Sequence, residues 1–334
     1  MASTSEELLQ TLRTLTKEKK HTEAYDIYKR ASAADPHNSR LDLALGWIVW
    51  FDVLSTKGHF SISRVRLVIR ALSILTETVP DCSDTADKLM HIREKLFSET
   101  AAKLSGEDKK RFINSVFPKL SVVYELTSSK TLNQWFNTVG KILAAFSDAI
   151  CVAFVDNARE YFTVLQPITV YYLLSRKAKA ELTAKNFEQA IASCQEALHY
   201  EGEQESIVHY YIIEASLGLS HRTKDKEIKQ QAHELARLHA ILYHLKPAKN
   251  IDYKFYFDYG KVFAFFLMRR EHFLCREYAV RLAKTKGALQ WLKGIEPTTS
   301  PYAEGISAMT DQELKNELNE VWLREAEQYH LLKK

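Results

Sequence analysis

The stretch from Thr22 to Pro36, TEAYDIYKRASAADP, indicates the fold class. Within it Ala24, Tyr28 and Ala31 recur at i, i+4 and i+7, which places them on one face of an α-helix. Pro36 ends that helix, because proline cannot continue the helical hydrogen-bond ladder. Small residues on either side of a large one let a second helix approach closely, so the pattern predicts one half of a helical hairpin.

A second stretch repeats this pattern. Residues Asn186 to Tyr200, NFEQAIASCQEALHY, carry Ala190, Cys194 and Ala197 at the same i, i+4 and i+7 spacing. As in the first stretch, a predicted helix and a short polar turn come before it. Two copies with the same surroundings are more specific than one amphipathic helix, and they predict a protein built from helical hairpins.

This pattern resembles the second half of the tetratricopeptide (TPR) repeat, a helix–turn–helix unit of 34 residues. Leu45 and Gly46 follow Pro36 at the distance where the Leu-Gly pair of the next repeat would fall. The resemblance is strongest over residues 5–50 and 170–200. It implies an all-α protein, an α-α superhelix of TPR-like hairpins with a terminal capping helix, and a non-catalytic scaffold whose concave surface holds a peptide or helix of a partner protein.

Turn residues and helix caps divide the chain further. Thr310 and Glu313 have capping-box spacing and predict the start of a final helix. The apolar run from Ile142 to Val155 predicts one buried central helix that contains Asp148. The predicted segments are N-terminal TPR-like hairpins at 1–80, a middle helical segment at 81–165, TPR-like repeats at 166–292, a linker at 293–309 and a capping helix at 310–334.

Composition excludes several classes of protein. A chain of 334 residues with only 10 Gly and 7 Pro favours helices over strands and turns. A formal net charge of +4 is mildly basic, whereas a dedicated nucleic-acid-binding domain usually clusters more basic residues, so the charge leaves the class of partner open. The four cysteines are far apart and form no metal-binding pair, so the sequence predicts neither a metal site nor a disulfide framework.

Sequence motifs predict neither an enzyme nor a membrane protein. The zinc-protease, serine-hydrolase and P-loop patterns are absent, so we expect no catalytic residues and no cofactor. The N-terminal residues show no secretory signal, and no apolar run reaches the length of about 20 residues that a spanning helix needs. We therefore expect a cytoplasmic protein without a membrane partner.

Aromatic and basic residues provide the candidates for partner binding. The stretch from Ile251 to Phe266 is rich in tyrosine and phenylalanine, and arginines follow it directly. Aromatic residues and arginine dominate the energetically important positions of protein interfaces. The predicted partner-binding residues are Trp47, Trp50, Tyr256, Tyr259, Arg269 and Arg270.

Two further hypotheses follow from weaker patterns. The arginine clusters, together with Arg324 and His330 in one predicted helix, suggest a nucleic-acid-binding or RNA-cleaving helical protein as the alternative. Residues 17–54 also resemble repeat proteins of bacterial stress and genome-conflict loci. That resemblance implies a regulator or partner of a stress or defence component.

Overall fold

In the computed structural model, the described residues are 2–36, 38–58, 60–200, 207–245, 253–283 and 301–331. These residues form sixteen α-helices and contain no β-strand. Helices that follow one another along the chain pack together as pairs. The predicted all-α class is therefore confirmed. The contacts divide the chain into two compact units, Met1–Leu173 and Leu174–Lys334.

The first unit is a succession of packed helices. Along it α3 packs against α1, α2, α4 and α5, α5 packs against α7, and α7 packs against α8. The helices are α1 (Ala2–Lys17), α2 (His21–Ala34), α3 (Ser39–Ser55), α4 (Ile62–Glu77), α5 (Ser83–Lys103), α6 (Gly106–Leu120), α7 (Ser129–Ala144), α8 (Asp148–Ala158) and the first part of α9 (Pro167–Thr183), with a short 3-10 turn at Arg159–Tyr161.

The second unit begins within α9. Its helices α11, α12, α13 and α14 pack in order along the chain, and the last helix, α16, packs against both α12 and α14. After α9 the helices are α10 (Phe187–Leu198), α11 (Ile207–Arg222), α12 (Lys226–Leu245), α13 (Tyr253–Phe265), α14 (Arg269–Leu282), α15 (Pro301–Ser307) and α16 (Asp311–Gln328).

Five of the six repeat-like positions face the core of their units, and the sixth, Ala31, is half-buried. Ala24 and Tyr28 are 0% and 4% exposed, and Ala190, Cys194 and Ala197 are fully buried. Burial of small residues on α2 and α10 lets the neighbouring helices come close, as the sequence pattern predicts.

Three helical hairpins have turns of the same backbone conformation. The turn residues are Lys19 between α1 and α2 (φ 62°), Lys185 between α9 and α10 (φ 61°) and Leu267 between α13 and α14 (φ 60°). In each turn the residue that follows donates its backbone N–H to the carbonyl five residues before it, at 2.9 Å. This left-handed helix ending is usually occupied by glycine. Here two lysines and a leucine occupy it, so the same φ angle and hydrogen bond occur with different side chains.

The apolar run from Ile142 to Val155 is not one helix, which corrects the sequence-based prediction. α7 ends at Ala144, and α8 begins at Asp148 after Ser147 has capped it by accepting the backbone N–H of Ile150 at 3.5 Å. Asp148 is half-buried in the first turn of α8. A carboxylate is favourable there because it meets the positive end of the helix dipole.

The C-terminal prediction is confirmed in part. Thr310 and Glu313 form the predicted capping box, with distances of 2.7 Å and 3.2 Å for its two backbone N–H bonds, and α16 follows it. The predicted linker 293–309 includes the helix Pro301–Ser307, and its residues 293–300 lie outside the described part of the chain. The other predicted segment boundaries stay predictions.

Candidate partner-binding groove

The helix α3 positions the candidate site in the first unit. Asn38 caps it by accepting the backbone N–H groups of Arg40 and Leu41 at 3.1 Å and 3.2 Å. Gly46 lies against α5, where an added Cβ would come within 2.9 Å of the Cγ1 of Ile92. A larger residue at this position would therefore force Ile92 or the helices to shift.

A groove of about 550 Å³ runs between α1, α3 and the start of α5. We call it the aromatic groove. Its wall on α3 is one helical stripe, because positions three to four residues apart share a face. The stripe consists of Arg40, Leu43, Ala44, Trp47, Ile48 and Phe51, and the remaining lining residues are Glu6, Leu9, Leu12, Arg13, Thr16, Lys17, Asp81, Cys82, Asp84, Thr85 and Lys88.

Three aromatic side chains of α3 form a cluster, and two of them, Trp47 and Phe51, line this groove whereas Trp50 does not. The ring centroids of Trp47 and Trp50 are 5.1 Å apart, and Phe51 lies 5.3 Å from Trp50 and 6.1 Å from Trp47. Phe51 is 38% exposed, and both tryptophans are half-buried. Large aromatic rings left partly in water offer apolar area that a partner can bury, as at the energetic centres of protein interfaces.

Charged residues of both signs border the aromatic groove. Four are basic (Arg13, Lys17, Arg40, Lys88) and three are acidic (Glu6, Asp81, Asp84). Lys88 pairs with Asp84 at 2.5 Å within α5. A hydrogen bond from the Thr85 side chain lowers the pKa of Asp81 below its usual value, so this carboxyl is ionised at neutral pH. This border suits a partner segment with an apolar centre and mixed charges on its flanks.

Cys82 lines the aromatic groove and is accessible to thiol reagents. It is the exposed one among the four free cysteines, and it lies at the N-cap of α5 with its Sγ 3.3 Å from the Oγ1 of Thr85. Cys151, Cys194 and Cys275 are buried.

The structure places the six predicted partner-binding residues in different environments. Trp47 and Trp50 lie together in the aromatic cluster of the first unit. Tyr256 and Tyr259 are 7% and 0% exposed in the core of the second unit, so as placed they present no surface to a partner. The reason is that α13 packs against α11, α12 and α14 and buries its aromatic residues on several sides.

Arg270 binds a neighbour within the second unit, while Arg269 is exposed. The Nη2 of Arg270 lies 2.5 Å from the Oε2 of Glu317 on α16. At the other end of α14, Arg281 pairs with Glu277 and Asp311. These arginines join α14 to α16.

The proposed catalytic pair Arg324 and His330 is not in one helix. α16 ends at Gln328, and His330 follows it with a φ of 54°. Arg324 donates to the Oε1 of Glu271 at 2.7 Å. A guanidinium held by a neighbouring carboxylate favours a structural role for this arginine.

Sequence reasoning missed most of the aromatic groove. Leu43 and Phe51 lie four residues before and after Trp47, so the helical stripe was visible in the sequence. The contributions of α1 and α5 had no such signal, because they depend on which helices lie beside α3.

The described residues contain no group of three or more histidine, cysteine, aspartate or glutamate side chains arranged to hold a metal ion. Among them, no helix combines the length and the apolar character needed to cross a membrane.

Comparison with known protein families finds no matching family model. A search of curated proteins also finds no match.

Proposed function

We propose that this protein is a non-catalytic scaffold or adaptor that binds a peptide or helix of a partner protein in the aromatic groove. The observation that carries the proposal is the wall formed by Trp47 and Phe51, which leaves aromatic surface open beside α1 and α5. The partner segment has one or two large apolar side chains for this wall. Its flanks carry both acidic and basic residues, which complement the border of the groove.

The proposal includes a TPR-like architecture for the hairpins within each unit. Its support is the shared turn at Lys19, Lys185 and Leu267 together with the buried small residues of α2 and α10. In such a repeat each hairpin buries an apolar face on its neighbour, and one layer of helices provides a binding surface.

The test is affinity capture from the source cells with the full chain as bait. Phe51→Asp introduces a charge into the aromatic groove at a position that is already 38% exposed. Ile62→Asp is the matched control, because Ile62 is 60% exposed in the same unit and does not line the groove. Far-ultraviolet circular dichroism establishes that both variants are folded.

We expect a stoichiometric partner that wild type and Ile62→Asp retain and Phe51→Asp loses. A photo-crosslinker attached to Cys82 should then link to a single segment of that partner. If the captured proteins are the same for all three baits, or if the crosslinks are scattered over the captured proteins, the aromatic groove is not the binding site and the proposal fails.

A further inference from the structure

A second groove, of about 640 Å³, lies entirely within the second unit between the end of α9, α11 and α13. Its floor is a stripe of α11 that includes Tyr210, Glu214 and Leu217. Four lysines lie along it, so we call it the lysine groove: Lys179 and Lys185 on one side, and Lys254 and Lys261 on the other.

The carboxylates of the lysine groove lie deeper than its lysines and have partners. Asp258 accepts from the Nζ of Lys261 at 2.8 Å and from the hydroxyl of Tyr210 at 3.4 Å. Glu214 lies 3.4 Å from the Nζ of Lys179. Burial raises the pKa of the Glu214 carboxyl, and its side chain is 29% exposed.

Charge therefore differs between the floor and the border of the groove. Two carboxylates against four lysines leave a formal excess of two positive charges among the lining residues. Lys185 and Lys254, on opposite sides, are both exposed. An ammonium group has three N–H donors, so a lysine that already has a partner within the protein, as Lys179, Lys254 and Lys261 do, keeps donors for a second one. Aromatic rings of Phe187, Tyr210 and Tyr253 lie between these charges.

We propose that the lysine groove is a binding site for an acidic polypeptide segment, one rich in glutamate or aspartate with an aromatic or aliphatic side chain among them. The carboxylates of the segment pair with the lysines on both sides, and its apolar side chain packs on Tyr210 and Leu217. A peptide can space its carboxylates away from Asp258 and Glu214 in the floor, whereas a nucleic acid carries a phosphate on every nucleotide, so the groove favours a peptide. This site is independent of the aromatic groove.

The test measures fluorescence anisotropy of a labelled glutamate-rich peptide that contains two phenylalanines, with the full chain at about 150 mM salt. A second peptide has glutamine in place of every glutamate. The double variant Lys185→Glu/Lys254→Glu reverses charge on both sides of the groove. Lys226→Glu/Lys229→Glu is the matched control, with the same change in net charge at exposed positions of α12 that do not line the groove.

We expect saturable binding of the acidic peptide, at least about tenfold weaker for the groove variant and unchanged for the control. The glutamine peptide should bind at least about tenfold more weakly than the acidic one. The proposal is overturned if the acidic peptide does not bind, or if both charge-reversed variants weaken it equally.

A labelled single-stranded oligonucleotide distinguishes the competing ligand class. If it binds wild type more tightly than the acidic peptide and loses affinity only in the groove variant, the groove takes nucleic acid and the peptide proposal is wrong. The affinity would then fall steeply with salt through counterion release. Phe51→Asp should leave peptide binding to the lysine groove unchanged. A negative result for one groove therefore does not count against the other.

Discussion

Arg237 on α12 and Glu325 on α16 form a bidentate ion pair inside the second unit, with Nε–Oε2 and Nη2–Oε1 distances of 2.5 Å and 2.8 Å. Glu325 is 1% exposed, and the side chain of Arg237 is 11% exposed. Two parallel bonds between guanidinium and carboxylate fix direction as well as distance. The pair therefore fixes the position of the last helix against α12.

Glu325→Gln should lower the free energy of unfolding by about 3 kcal/mol, because it leaves the buried guanidinium without its counter-charge. Chemical denaturation followed by circular dichroism measures the change. Asp311→Asn is the control, since the Asp311 side chain is 85% exposed where it pairs with Arg281. That change should cost no more than about 1 kcal/mol. Equal losses in the two variants would contradict a special role for the buried pair.

Lowering the pH should destabilise the second unit. Burial lowers the pKa of His239 and of His244 to about 4, whereas an unfolded histidine has a pKa near 6.5. Between these values the unfolded chain binds more protons, so the free energy of unfolding falls as the pH drops from 6.5 towards 4. The loss is about 2 kcal/mol for each histidine by about pH 5, and it is absent above about pH 7.5.

A single substitution tests the contribution of His244 to this pH dependence. Its ring stacks on Trp322 with centroids 4.1 Å apart, and Trp322 also stacks with Tyr259 at 4.2 Å. His244→Phe keeps an aromatic ring in the stack and removes the titrating group. Denaturation curves at about pH 5 and about pH 7.5 should differ less in the variant, by about 2 kcal/mol. An unchanged difference would show that other groups cause it.

Leu267→Gly should raise the free energy of unfolding by about 0.5 to 1 kcal/mol. Leu267 has a φ of 60°, a conformation that glycine adopts without steric cost, and it is 79% exposed, so little packing is lost. Ala192→Gly, at an exposed position within α10, should instead lower stability by about 1 kcal/mol. Thermal unfolding of both variants measures the two changes. A destabilised Leu267→Gly would mean that the turn is not strained.

Cys82 should be the one thiol that reacts quickly in the folded protein. The other three cysteines are buried, and burial raises the pKa of Cys194 and Cys275 and disfavours their reactive thiolates. Titration with a thiol reagent should give a fast phase of one equivalent before denaturation and four equivalents after it. The fast phase should disappear in Cys82→Ser and slow when a partner fills the aromatic groove. A fast phase that persists in Cys82→Ser would contradict the assignment.

The sequence predicted a helix correctly where the whole signal lies within that one helix. The spacing of Ala190, Cys194 and Ala197 predicted a buried face of α10, and Thr310 predicted the start of α16 because the capping box is complete within four residues. The break after Ala144 also had a local signal, a serine before an aspartate, but the apolar residues on both sides concealed it.

The candidate sites were less predictable, because they depend on packing between helices. Nothing in the neighbourhood of Tyr259 in the sequence distinguishes a core tyrosine from one that faces a groove, and α11, α12 and α14 bury α13. The lysine groove likewise joins Lys185 to Lys254, which are far apart in the chain. Their proximity follows from the placement of α9 and α13 on either side of α11.

The turn conformation at Lys19, Lys185 and Leu267 has a consequence for comparing the hairpins of this protein. Its backbone hydrogen bonds do not involve side chains, so mutation can replace the residues of the turn without changing the path of the chain. Lys19 and Lys185 are the same residue type, but Leu267 differs, so residue identity alone would not relate the third turn to the other two. Superposition of their backbones is therefore the way to test whether the three hairpins have a common origin.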